Sequence, residues 1–194
     1  MIDLAVTPVR RRGLPLGWWG MAMLVAAEGA LFAMMTGTYF YLRFKSVHSP
    51  PQGIPEPKLV VPLVLLGVLV AASVPMQLAA RAARSGRLRA ARLQLLATMV
   101  LQGGYFAMQV HQYRADLASF TPQQHAYGSV YYTLLGADHA HVALGLLLDA
   151  WLLAKLTSGL TTYRRNAAVA LALYWHAVNA ITIVVTLTLL SPAL

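Results

Sequence analysis

The chain has 194 residues, 58% of them hydrophobic and only 11% charged, where an ordinary soluble domain carries roughly 25% charged residues; a conventional water-soluble globule is excluded. The net charge of +9 lies in clusters between apolar runs rather than along a groove-sized surface, so no nucleic-acid partner is expected. With no cysteine, disulfides, thiolate metal sites and cysteine nucleophiles are excluded as well.

In chain order, Arg10, Arg11 and Arg12 precede a first apolar run over residues 17–42. That run is about twice the roughly 7 to 15 residues of a signal-peptide core, so it reads as a retained first span. It opens on Trp18 and Trp19 and holds one carboxylate, Glu28, near its middle. The segment "SVHSPPQGIPEPK" follows, too rich in proline to be helical. Further apolar runs cover residues 59–80, 91–113, 130–155 and 167–190. Each is long enough to cross roughly 30 Å of hydrocarbon, which needs about 20 helical residues. No period-two pattern suggests a barrel, so the spans are predicted helices. The expected fold is an all-α integral membrane protein of five transmembrane helices, residues 1–194 forming a single membrane domain.

Basic residues fix the expected orientation. Arg10, Arg11, Arg12, Arg81, Arg84, Arg87, Arg89, Arg92, Lys155, Arg164 and Arg165 fall on one side of the five spans, and Arg43, Lys45, Lys58 and Arg114 on the other. The positive-inside rule then places the N-terminus in the cytoplasm and the C-terminus outside. No internal repeat aligns, which disfavours an inverted-repeat transporter.

Polar groups inside the spans carry the remaining information. From the 1.5 Å helical rise, Glu28 is roughly 16 Å deep, and His141 and His176 also lie near the midplane. In the fourth span Asp138, His141 or Val142, Gly145 and Asp149 recur at three- and four-residue intervals on one face, with His139 pointing elsewhere. Gly145 permits close approach of another helix or an acyl chain. Gln102, Tyr105, Gln109 and Gln112 form a similar stripe on the third span, and His176 and Asn179 are three apart on the fifth. For a single intramembrane amide or imidazole the common role is an interhelical hydrogen bond worth about 1 kcal/mol. A midplane carboxylate is costlier and calls for a partner; a protonated Glu28 could donate to an imidazole or a carbonyl.

No Glu-x-x-His set suggests a di-metal site, and neither hydrolase nor phosphate-binding motifs occur, so no catalytic residue and no metal ligand is assigned. Matching depth leaves His141 and His176 as a conceivable axial pair for haem, and Glu28 with Asp138 as the core of a small proton-coupled transporter.

Four stretches resemble subunit III of the haem-copper cytochrome c oxidases in its short bacterial form: "WWGMAMLVAAEGALFAMMTGTYFYLR", "QVHQY", "GADHAHVALG" and "YWHAVNAIT". They are similar to the family's motifs in order and spacing, from Trp18 to the end of the fifth span. The resemblance implies that Glu28 is the family's buried, carbodiimide-reactive carboxylate. It likens His141 to the second histidine of the fourth-helix motif, and Tyr174, Trp175 and His176 to the start of the last-helix motif. It places Lys155 where the family often carries a cation against a lipid phosphate, with Trp175, Trp18 and Trp19 as further lipid contacts. The chain departs from the pattern at Asp138, where a histidine is usual, at Gln112 and Asn179, where carboxylates are, and at Thr182, where tryptophan is. These departures leave the subtype open between a divergent cytochrome c oxidase, a quinol oxidase and the related protein associated with nitric-oxide reductases.

What the resemblance implies is an accessory subunit with no cofactor of its own, carrying structural phospholipid in the cleft of a V-shaped set of helices. Its partners are oxidase subunits I and II and membrane lipids, with haem and copper held in the partner subunits. Such subunits stabilise subunit I and sustain proton uptake. The expected location is the bacterial inner membrane. The expected buried polar network comprises Glu28, Gln109, Gln112, Asp138, His141, His176 and Asn179.

Overall fold

A computed structural model describes residues 16–193, so Arg10, Arg11 and Arg12 lie outside the described residues. Five helices follow one another: α1 (Leu16–Lys45), α2 (Val60–Arg84), α3 (Leu88–Ser119), α4 (Ala126–Leu156) and α5 (Thr162–Leu190), with a closing 3₁₀ turn at Ser191–Ala193. Each predicted span has become a helix, and α3, α4 and α5 extend past the predicted limits by one or more turns. The apolar run marks only the part of a helix in hydrocarbon; the polar turns beyond it, such as Thr162–Asn166, keep helical hydrogen bonds in the interface. Four helices are long and apolar enough to cross a membrane. α3 falls short by composition, because Arg92, Gln94, Gln102, Gln109 and Gln112 interrupt its apolar sequence.

Local chemistry sets the helix ends. α2 tolerates Pro75, at the loss of one backbone hydrogen bond, and stops at Gly86, whose φ of 74° is accessible mainly to glycine. There the amides of Ser85 and Arg87 close onto the carbonyls of Arg81 (3.0 Å) and Ala82 (2.9 Å). That turn pairs α2 with α3 antiparallel. The Thr161 hydroxyl caps α5 by accepting from the amide of Arg164 at 3.3 Å.

α2, α3, α4 and α5 form a closed ring in which each helix touches its two neighbours, and α1 packs outside it against α4 and α5. This is one bundle, not the two arms of a V that the resemblance implied. Alanine dominates the buried positions of the α2–α3 hairpin: Ala72, Ala79, Ala80, Ala82, Ala83 and Ala91 are all buried. Lipid tails are as apolar as leucine, so helix association in hydrocarbon gains from small residues that let backbones approach. α1 contributes only Phe32 and Tyr39 as buried residues, and Trp19, Met23, Leu24, Leu31 and Met34 face outwards.

One close contact joins α4 and α5. Gly145 faces the indole of Trp175, and a Cβ at Gly145 would lie 2.6 Å from Trp175 Cζ2 and 2.8 Å from Cη2. Trp175 is wholly buried, so the ring has little room to retreat. Gly145→Ala is expected to lower unfolding stability by about 1–3 kcal/mol. Gly103→Ala on α3, with no atom within 4 Å of the new methyl, should be neutral or stabilising by under about 1 kcal/mol. Denaturation of the micelle-bound chain, followed by circular dichroism, checks both.

Candidate functional site

The midplane carboxylate Glu28 meets α4. Its Oε2 is 3.1 Å from His141 Nε2, with side-chain exposures of 28% and 18%. This is ion-pair distance without hydrogen-bond alignment, and Oε2 is buried with no other polar partner. The other face of the ring is committed, because Nδ1 lies 2.7 Å from the carbonyl of Ala137 one turn earlier. A carbonyl only accepts, so Nδ1 carries a proton and Nε2 is the atom left to deal with the carboxyl. Phe32 packs edge-on to the imidazole with centroids 5.3 Å apart, and Tyr174 of α5 donates its hydroxyl to the carbonyl of His141 at 2.8 Å. Three helices therefore converge on His141.

The other polar side chains form separate contacts rather than a single network. Asp138, 2% exposed, accepts a 2.6 Å hydrogen bond at Oδ1 from the Thr182 hydroxyl, joining α4 to α5. Asp149, wholly buried, accepts the Trp175 indole N–H, 3.0 Å from each carboxylate oxygen. Gln102 of α3 donates to Asn179 Oδ1 at 3.3 Å, and Asn179 in turn donates to the Ser73 hydroxyl of α2 at 2.8 Å. Gln109 donates to the hydroxyl of Tyr105 at 2.6 Å within α3. Gln112 keeps a buried Nε2 without a partner.

Two expectations change here. His176 shares depth with Glu28 and His141 but not their site: its Nε2 contacts Gln77 Oε1 of α2 at 3.0 Å. His141 thus faces α1 while His176 faces α2, and their ring nitrogens do not converge as haem ligation requires. Trp175, expected at a lipid contact, is instead fully enclosed. Its N–H needs an acceptor once buried, and Asp149 one helix away supplies it. Of the other residues expected at lipid, Lys155 and Trp19 are exposed and Trp18 is half-buried. Among the described residues no group of three or more His, Cys, Asp or Glu could hold a metal ion, and Glu28 and Asp138 make separate contacts.

Sequence reasoning missed Ser73 and Gln77. They lie four apart on α2 as isolated polar residues in an apolar run, and that spacing alone marks a face turned towards other helices. An apolar cleft of about 360 Å³ opens between α1, α4 and α5, lined by Met21, Leu148, Trp151, Tyr163 and Leu171 among others. It lies at the α1 N-terminal end of the bundle, where Lys155 ends α4.

Comparison with known proteins places these contacts in context. A family model described as cytochrome c oxidase subunit III matches residues 5–191. Cytochrome c oxidase subunit 3 of Bacillus subtilis is 26% identical over 171 residues, covering 86% of this chain and 80% of the relative. Cytochrome bo(3) ubiquinol oxidase subunit 3 of Pseudomonas aeruginosa is 29% identical over 171 residues, covering 87% and 80%. Cytochrome c oxidase subunit 3 of Mus musculus is 30% identical over 183 residues, covering 90% and 68%.

Two experiments test the site. A double-mutant cycle on Glu28→Leu and His141→Leu is expected to give a coupling energy of about 0.5–2 kcal/mol in thermal or denaturant unfolding; strictly additive effects would mean the pair is not engaged. Thr182→Val removes the donor to Asp138 at constant volume and should cost about 1–3 kcal/mol, the penalty of a buried acceptor left unpaired.

Proposed function

The chain belongs to the cytochrome c oxidase subunit III family, and on that premise we propose that it is the accessory, non-redox subunit of a respiratory haem-copper terminal oxidase. In this reading it packs against catalytic subunit I beside subunit II, stabilises subunit I and supports proton uptake during oxygen reduction. Haem and copper reside in those partners. The observation that carries the proposal is the family match across residues 5–191, joined to the close approach of Glu28 to His141 at the positions whose motifs resemble the family's.

The chain is a multi-pass membrane protein. Its cytoplasmic N-terminus and its place in a bacterial inner membrane belong to the proposal. Support comes from the cations of the α2–α3 turn, the end of α4 and the start of α5. Arg81, Arg84, Arg87, Arg89, Lys155 and Arg165 are exposed at the end of the bundle where α1 begins, and such clusters favour the cytoplasmic side. Phospholipid in the α1–α4–α5 cleft is part of the same reading. The walls are apolar, Trp19 is exposed at the start of α1, and Lys155 stands in the last turn of α4, where a membrane-end cation can meet a phosphate. The relatives include both cytochrome c and ubiquinol oxidase subunits, so the proposal names the oxidase class and no electron donor.

Affinity purification of the tagged chain from gently solubilised membranes is expected to bring down a haem-bearing subunit with a reducible Soret band. The chain expressed alone should show no such band. Stoichiometric haem on the isolated chain, or purification without any haem protein, would overturn the assignment.

A further inference from the structure

A second cavity, of about 160 Å³, lies on the other side of α1 from the apolar cleft, lined by Trp18, Gln77, Arg81, Arg84, Leu173 and His176 among others. α1 and α2 each pack on α5 but do not pack on one another, so between them runs a groove with α5 as its floor. Among the described residues its walls combine two guanidiniums with apolar side chains and include no carboxylate. Among the described residues the only acidic and basic side chains within ion-pair distance are Glu28 and His141, which leaves both Arg81 and Arg84 without a counter-charge.

We propose that this groove binds the phosphate of one anionic phospholipid through Arg81 and Arg84. The two arginines are three residues apart in the last turns of α2 and so share a face, and guanidinium is suited to bidentate contact with phosphate oxygens. Gln77 Oε1 is occupied by His176 Nε2 at 3.0 Å, so the amide N–H groups of Gln77 are the side chain's remaining donors beside the cations. The cavity is about ten times the roughly 15 Å³ that a single water needs. That suits a phosphodiester headgroup, with the acyl chains outside the cavity in hydrocarbon. Trp18 at its wall is an interfacial residue by type and place. The inference rests on the membrane reading above but not on the oxidase partner, and concerns a site separate from the α1–α4–α5 cleft.

The test uses the full chain in detergent micelles, with native mass spectrometry to count lipids retained from added phosphatidylglycerol or phosphatidylcholine of identical acyl chains. Wild-type chain is expected to retain one phosphatidylglycerol in preference to phosphatidylcholine. Arg81→Ala with Arg84→Ala should weaken that retention about thirtyfold, and the paired lysine substitutions should recover part of it. Arg87→Ala with Arg89→Ala removes the same charge from the neighbouring turn and should leave retention within about threefold of wild type. Equal losses in the two alanine pairs would mean a diffuse cationic surface and overturn the site. Displacement of the lipid by equimolar inorganic phosphate would overturn the lipid as its ligand. If the Arg81/Arg84 change instead abolished copurification of the haem protein while lipid retention stayed at wild-type level, the arginines would serve a protein carboxylate and the proposal would fall. Copurification of the wild-type chain is measured separately, so failure of the oxidase reading is distinguishable from failure of this one.

Discussion

A polar side chain within hydrocarbon must find its partner in another helix, and in this chain α5 supplies most of those partners. Over little more than two turns it presents Tyr174 to the backbone of His141, Trp175 to Asp149, His176 to Gln77, Asn179 to Gln102 and Ser73, and Thr182 to Asp138. These contacts reach α2, α3 and α4, the three other members of the ring. Apolar packing alone discriminates weakly between helix registers when the solvent is equally apolar. Directional contacts from five residues of one helix set both rotation and height. α5 is therefore the reference against which the rest of the bundle is positioned, and α1 is tied in through His141, whose backbone α5 already holds.

Much of this was legible in the sequence, for a physical reason. Helix number and type follow from the length of the apolar runs, because hydrocarbon admits few backbone solutions. The faces that turn inwards follow from the three- and four-residue spacing of Asp138, Val142, Gly145 and Asp149, all buried. What depth could not convey was azimuth. Glu28, His141 and His176 sit at similar heights, yet only two of them meet, because His176 is turned towards α2. Trp175 misled for a related reason: an aromatic near polar residues reads equally well as an interfacial anchor or as a buried donor, and only the position of Asp149 on the facing helix decides.

The departures from the family pattern make sense in pairs. Asp138 and Thr182 stand where the pattern has histidine and tryptophan, and they bond to each other across α4 and α5. A carboxyl replacing an imidazole needs a nearby donor, and a threonine in place of a bulky ring provides one along with the space. Asn179, standing for a carboxylate, accepts from one helix and donates to another, which a carboxylate acceptor could not do. Gln112 has no such compensation, and the residue with its unpaired amide lines a cavity of about 500 Å³ between α3 and the loop at Ile54–Lys58, at the end of the bundle away from the start of α1.

The thin attachment of α1 has a consequence for how the molecule is made. α1 precedes α2 and α3 along the chain, and it packs on neither of them. Its partners, Phe32 against His141 and Tyr39 against Tyr127, lie on α4, with the rest of its contacts on α5. During synthesis, which proceeds at about 5–20 residues per second, α1 must reside in the bilayer for seconds with its carboxylate facing lipid or a borrowed partner. The hairpin of α2 and α3, which pack extensively on one another, can close meanwhile. α1 can therefore complete its packing only after α4 and α5 have been made, and the encounter of Glu28 with His141 belongs to that late stage.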